Sequence, residues 1–186
     1  MKTHNHCNIT TMDDNTVEIE ARTGTDYFID HLNQIAIANA PLAYQDVSSD
    51  FDFSVRIQPN FTTASDAGCV LILDNDEQWI KTAFELTDLG YTSVVTVVTN
   101  GASDDSNGER IEKSAVWLRV LRKGSLWSIH YALDGQEWKM VRYFELNLSR
   151  TVKVGISAQC PRGSGCMARF SHWRLTNNTC DDMRNV

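Results

Sequence analysis

Trp79, Lys81 and Glu85 fall on one side of the stretch 79–86, WIKTAFEL. Ile80, Thr82, Phe84 and Leu86 take the other side, because side chains alternate along an extended segment. An indole, an ammonium and a carboxylate in line suit a hydroxyl-rich ligand. The apolar C–H face of a sugar stacks on an aromatic ring, and its hydroxyls bond to charged groups. The same parity separates Trp117 and Arg119 from Val116, Leu118 and Val120. It separates Ser128 and His130 from Trp127, Ile129 and Tyr131, and Ser157 and Gln159 from Val154 and Ile156. If these faces line one sheet, they form a groove floored by aromatic rings. Ser103 and Asp104, in the long polar stretch 100–114, join this candidate ligand-binding set. A second reading stays open, in which Lys81, Glu85 and Arg119 form a cross-strand ion network on a solvated face.

Other chemistries find less support. Glycoside hydrolysis needs two carboxyl groups roughly 5–10 Å apart. The segment holding Glu85 has no second acid of the same parity, so Asp104, Asp105 or Glu109 would have to supply it. No G-x-S-x-G nucleophile motif is present, and no glycine-rich phosphate loop precedes a helix. The acidic turns 74–77 and 103–109 lack the EF-hand calcium pattern. No catalytic residue, metal site or cofactor is assigned.

The elements that must position these residues are strands. Phe51, Phe53, Val55 and Ile57 alternate with Asp52, Ser54, Arg56 and Gln58, as in a half-buried antiparallel strand. Residues 68–73 are nearly all apolar and predict a central strand. Strands are expected at 79–86, 91–99, 115–121, 126–133, 138–146, 152–158 and 167–175, with Asp134-Gly135 marking a hairpin. Short strands are expected around 17–21, Phe28, 35–38 and 42–45; a helix over 27–37 is poorly capped and rich in β-branched residues. The polar stretch 100–114 predicts a mobile or binding loop. The domain reading is a flexible tail over 1–15, a single β-sandwich over 16–176 and a polar tail over 177–186.

The totals agree. A chain of 186 residues, 42% apolar, suffices for one all-β domain. A net charge of −7 argues against a nucleic-acid partner or an anionic membrane surface. No apolar run approaches the about 20 residues of a membrane span. The start, MKTHNHCNITTMDDN, has no apolar leader, which leads to the expectation of a cytoplasmic protein. The five cysteines cannot all pair within one chain, although the turn-rich loop CPRGSGC could bring Cys160 and Cys166 together.

Several motifs in order carry a resemblance: AGCVLILD (67–74), WIKTAFE (79–85), SVVTVVT (93–99), SD (103–104), VWLRV (116–120), YALDGQEW (131–138) and VGISA (154–158). Weaker echoes are TDYF (25–28) and NAPL (39–42). Together they resemble the family known as domain of unknown function 1349, which includes the fungal regulation-of-enolase protein and belongs to the concanavalin A-like lectin and glucanase superfamily. Asp105 departs from the aromatic expected after Ser-Asp, and Asp66 from the tyrosine-containing turn expected before Ala67. The resemblance implies an all-β, concanavalin A-like jelly-roll β-sandwich of two antiparallel sheets, one convex and one concave, and implies little about activity. The sequence then supports a non-catalytic binding module for a carbohydrate or other small polar ligand. The alternatives are an intracellular regulatory domain that binds a protein partner and, further off, a glycoside-active enzyme.

Overall fold

Alternation builds the architecture. Phe51, Phe53, Val55 and Ile57 are at most 5% exposed, while Asp52, Ser54, Arg56 and Gln58 between them stay half-buried. A strand with one greasy side must lay it against another sheet, and a sandwich results. The computed structural model describes residues 1–178 and 180–186. Its strands are β1 (Lys2–His4), β2 (Asn8–Asp13), β3 (Thr16–Arg22), β4 (Tyr27–Asp30), β5 (Ile35–Ala38), β6 (Leu42–Val47), β7 (Phe51–Asn60) and β8 (Ala67–Asn75). There follow β9 (Gln78–Leu86), β10 (Thr92–Asn100), β11 (Ala102–Arg110), β12 (Val116–Lys123), β13 (Leu126–Ala132), β14 (Lys139–Glu145), β15 (Val152–Gln159) and β16 (Gly165–Asn177). No helix occurs among the described residues.

Sheet A runs β1-β6-β15-β8-β9-β10-β11 and sheet B runs β14-β13-β12-β7-β16-β3-β2. Their strand pairs are antiparallel. The inner faces meet in one cluster. Val70, Ile72, Ile80, Phe84 and Ile156 from sheet A pack on Val55, Leu118, Trp127, Ile129 and Phe170 from sheet B. Each such side chain contributes about 1.5–3 kcal/mol on burial. Trp127 also satisfies its indole N–H, which donates to the Leu146 carbonyl at 3.0 Å.

A third, two-stranded sheet pairs β4 with β5 and lies against the outer face of sheet A. Tyr27 and Ile29 from this hairpin pack with Ala40, Leu42, Leu71, Leu73 and Trp79. The short strands expected around residues 28, 35–38 and 42–45 form, and the alternative helix over 27–37 does not.

Three expectations change. The stretch 1–15 is not a loose tail: β1 pairs with β6, and β2 pairs with β3. Polar residues suffice there because backbone pairing does the holding. The stretch 100–114 is not mainly a loop, since Ala102–Arg110 is the edge strand β11, paired with β10. An edge strand facing water takes charged residues readily, and these discourage further pairing. Described residues after Asn177 also pack: Asn178 donates to the Arg122 carbonyl at 2.9 Å, and Met183 is buried, its carbonyl beside His130 of sheet B. All five cysteines are free thiols, and Cys69, Cys160 and Cys166 are buried.

Close packing leaves no room at Gly155, which pairs with Tyr44 on one side and Leu71 on the other. A Cβ there would lie 2.0 Å from the Ala43 carbonyl oxygen. Gly155→Ala is expected to lower unfolding stability by about 1–3 kcal/mol, the usual range for overpacking. Urea denaturation checks it, and the m-value should stay unchanged.

Candidate functional site

The structure divides the sequence-predicted set between two opposite outer faces. Trp79, Lys81 and Glu85 on β9, with Ser157 and Gln159 on β15, face outward from sheet A. Trp117 and Arg119 on β12, with Ser128 and His130 on β13, face outward from sheet B. The core lies between the two groups, so they do not line one groove. Parity along each strand was read correctly. What parity lacks is the assignment of strands to sheets, which depends on long-range pairing.

On sheet B, Arg119, Trp117 and His130 already have partners, while the buried Ser128 hydroxyl has none among the described residues. Arg119 makes a bidentate pair with Asp52, at 3.0 and 2.6 Å, and its guanidinium lies 5.2 Å from the Trp138 ring centre. The Trp117 ring stacks against His172 at 5.6 Å. A ring nitrogen of His130 lies 3.0 Å from the Met183 carbonyl, and burial holds its pKa below the ordinary histidine value.

The edge-strand candidates fasten elements together. Ser103 accepts the Ile29 backbone N–H at 2.9 Å and lies 2.8 Å from the Thr99 hydroxyl, which pins β4 to β11. Asp104 forms an ion pair with Arg142 of β14 at 2.8 Å, linking the rims of the two sheets.

The outer face of sheet A keeps a polar cluster. Trp79 is fully buried, because the β4–β5 hairpin covers it; Tyr27 meets its ring edge-on at 5.4 Å. It is therefore not an open stacking floor. Two residues along β9, the hairpin delivers Asp26 to Lys81, and the ammonium donates to Asp26 at 2.7 Å and to Gln159 at 2.9 Å. The lysine side chain is 4% exposed and the aspartate 14%. Burial works against the Lys81 charge, but Asp26, together with Cys69 and Glu85, holds its pKa above the ordinary value.

Gln159 turns the other end of its amide outward. It donates to the Ser65 carbonyl at 3.0 Å and stands 3.4 Å from the Glu85 carboxylate. Glu85 is half-buried. Burial pushes it up to about 7 against the pull of Lys81, and Asp26, Asp105 and Asp88 add to the rise. Asp105, in register with Val97 and Lys81 across the sheet, is also raised, first by burial. The floor between these groups is made of Ala67, Cys69, Ala83, Val95 and Val97, with Phe28 of the hairpin packed against them. The result is a shallow polar patch with one buried cation, a carboxyl group that titrates near neutrality, an amide and an aromatic lip. It can exchange hydrogen bonds with hydroxyl groups in either protonation state of Glu85. Lys81 and Glu85 were legible from parity. Asp26 was not, since it lies 55 residues before its partner; it stands within the weak TDYF echo, which by itself assigned it no role.

The family described as "Protein of unknown function (DUF1349)" matches residues 4–178. The chain belongs to this family. Among curated proteins, Regulation of enolase protein 1 of Saccharomyces cerevisiae is 30% identical over 132 residues, or 70% of this chain. The match spans 66% of that protein, slightly under two thirds of its length. A crystal structure of a functionally unknown protein from Saccharomyces cerevisiae superposes with a TM-score of 0.89 at 24% identity, covering 96% of this chain and 97% of that one. The legume lectin-like domain from Entamoeba histolytica aligns with a TM-score of 0.58 at 10% identity, over 95% of this chain and 89% of its own. The GH43 protein BlXynB of Bacillus licheniformis aligns in a mutant form with a TM-score of 0.69 at 13% identity, over 88% of this chain but 33% of its own. The fold is thus the concanavalin A-like sandwich that the motifs implied, and among the described residues no helix is long and apolar enough to cross a membrane.

Two variants examine the cluster. Lys81→Met leaves Asp26 without its cation, and a loss of about 3–5 kcal/mol in denaturation stability is expected for breaking a buried pair. For Glu85 the sign runs the other way. The folded pKa near 7 lies above the unfolded value, so the folded state holds the extra proton. Its contribution is therefore full at low pH and is lost as pH rises through about 7. Melting curves from pH 5 to 8 should show wild type losing stability relative to Glu85→Gln as pH rises; parallel profiles would rule out the raised carboxyl.

Proposed function

We propose that the chain is a non-catalytic binding module whose sheet A patch takes hydroxyls of a carbohydrate or related polyol. Glu85 and Asp105 accept ligand hydroxyls, and the buried Gln159 amide steadies Glu85 from behind. Lys81 acts mainly by holding Asp26 and Gln159 in place, while Phe28 offers a ring edge to the ligand's C–H surface. The observation that carries this reading is the half-buried Glu85 carboxyl beside a buried ammonium already bonded to Asp26 and Gln159. Such a carboxyl has hydrogen-bonding capacity left over, whereas its neighbours' capacity is largely used. The lectin-like fold of the structural neighbours is consistent with the reading but says nothing by itself about this chain's ligand.

A second reading follows from the relative named Regulation of enolase protein 1. In it the same patch receives a protein partner, and the chain acts as a regulatory interaction domain. The acidic surroundings of Glu85 would then favour a partner surface with lysine or arginine at its centre.

A glycan array followed by titration calorimetry separates the two. Under the first reading a saturable glycan response appears and falls at least tenfold in Glu85→Ala and Asp105→Ala, with both variants folded by circular dichroism. Trp79→Ala should act differently, reducing stability by about 3–5 kcal/mol with no selective effect on binding. Glycan binding that survives both acid substitutions would move the site elsewhere. No glycan response, combined with stoichiometric recovery of one protein partner that Glu85→Ala abolishes, would favour the second reading.

A further inference from the structure

The rims of the two sheets meet where β11 ends sheet A and β14 ends sheet B. Two ion pairs tie them: Arg142 to Asp104 at 2.8 Å, and Lys139 to Glu109 at 2.8 Å. Between the ties lies a crevice of about 300 Å³, at the lower end of the roughly 300–1,000 Å³ typical of small-molecule sites.

Two bulges open it, one in each sheet. The β10–β11 register jumps between Ser93 and Val95, which leaves Val94, Gly108 and Glu109 out of step. The β13–β14 register jumps between Ile129 and His130, which leaves out Val141. All four displaced residues line the crevice. Bulges re-aim side chains and cluster beside functional sites. Here one turns Glu109 toward the crevice. The backbone is also close at this point: a Cβ on Gly108 would lie 2.8 Å from the Val94 carbonyl oxygen.

The crevice has an apolar interior and a polar mouth. Val94 and Ile111 belong to the main core and are at most 4% exposed. Tyr131 is 5% exposed, yet its hydroxyl reaches the mouth and donates to one oxygen of Glu109. The Lys139 ammonium donates to that same oxygen. Two donors from sheet B thus converge on a single carboxylate oxygen from sheet A. The carboxylate owner is not fixed by packing, since the Glu109 side chain is 60% exposed.

We propose that this crevice binds a small carboxylic acid with an apolar body, whose carboxylate replaces that of Glu109 between the Tyr131 hydroxyl and the Lys139 ammonium. The body enters against Val94, Ile111 and Val141, and Glu109 swings into solvent. The Glu109 carboxyl is held below its ordinary pKa, first by its hydrogen bond from Lys139 and then by that from Tyr131, as fits a built carboxylate receptor. No bond is made or broken. This site is separate from the sheet A patch and does not depend on the reading given to it.

Benzoate is the probe and benzyl alcohol its neutral control, titrated into the full chain and followed by calorimetry and by NMR shifts of Tyr131, Val94 and Val141. Saturable benzoate binding at these residues is expected, with at least tenfold weaker binding of the alcohol. Lys139→Met should weaken benzoate at least tenfold. Glu109→Ala and Glu109→Gln should each tighten it severalfold, because they remove the internal competitor. A merely structural ion pair would not produce that gain. The proposal is overturned if neither wild type nor a folded Glu109 variant binds benzoate, if a folded Glu109 variant binds it more weakly, or if the alcohol binds equally well.

Discussion

The ammonium of Lys81 sits almost wholly out of water, and the rest of the outer face of sheet A is arranged around that fact. A buried charge is tolerated only when paired and hydrogen-bonded, and removing it from water costs several kcal/mol even after relaxation. Its partners come from far away along the chain, Asp26 from the hairpin and Gln159 from β15. Meeting that requirement fixes the hairpin over the sheet. The fixed hairpin then covers Trp79 and presents Phe28. With Gln159 committed to Lys81 and to the Ser65 carbonyl, Glu85 is left as the group with capacity to spare. One electrostatic demand therefore decides both what is sealed and what is offered.

Most of the strands were legible, because period-two alternation is a local property and the inner faces are mostly apolar, with Thr82 and Thr96 among the exceptions. The positions 51–58, 116–120 and 126–131 have the predicted inner and outer sides. Two kinds of information were not local. The strands bearing Trp79 and Trp117 belong to different sheets, and nothing in either segment states which neighbour it will pair with. The polarity of 102–110 suggested a loop, because the sequence pattern reports side-chain solvation while the strand is held by backbone bonds to β10. The same reason hid β1 and β2. Asp26 was hidden because a salt bridge between distant positions leaves no periodic trace.

The comparisons divide in the same way. Family membership and fold stand on a match over residues 4–178 and on superpositions that span nearly all of the chain. Function does not travel with fold at 10–13% identity, and the lectin-like and GH43 neighbours differ from each other in what their names describe. The two outer faces illustrate why. On sheet B, Arg119 is neutralised by Asp52 and the C-terminal segment lies over His130. On sheet A, the neighbours of Lys81 leave an acid surplus. One scaffold thus carries two surfaces of different chemistry, and only side chains distinguish them.

The five unpaired thiols have a consequence of their own. With no covalent cross-link between strands, cohesion comes from interdigitated side chains and backbone ladders, and a reductant has nothing to cleave. Reducing conditions therefore leave the architecture unchanged.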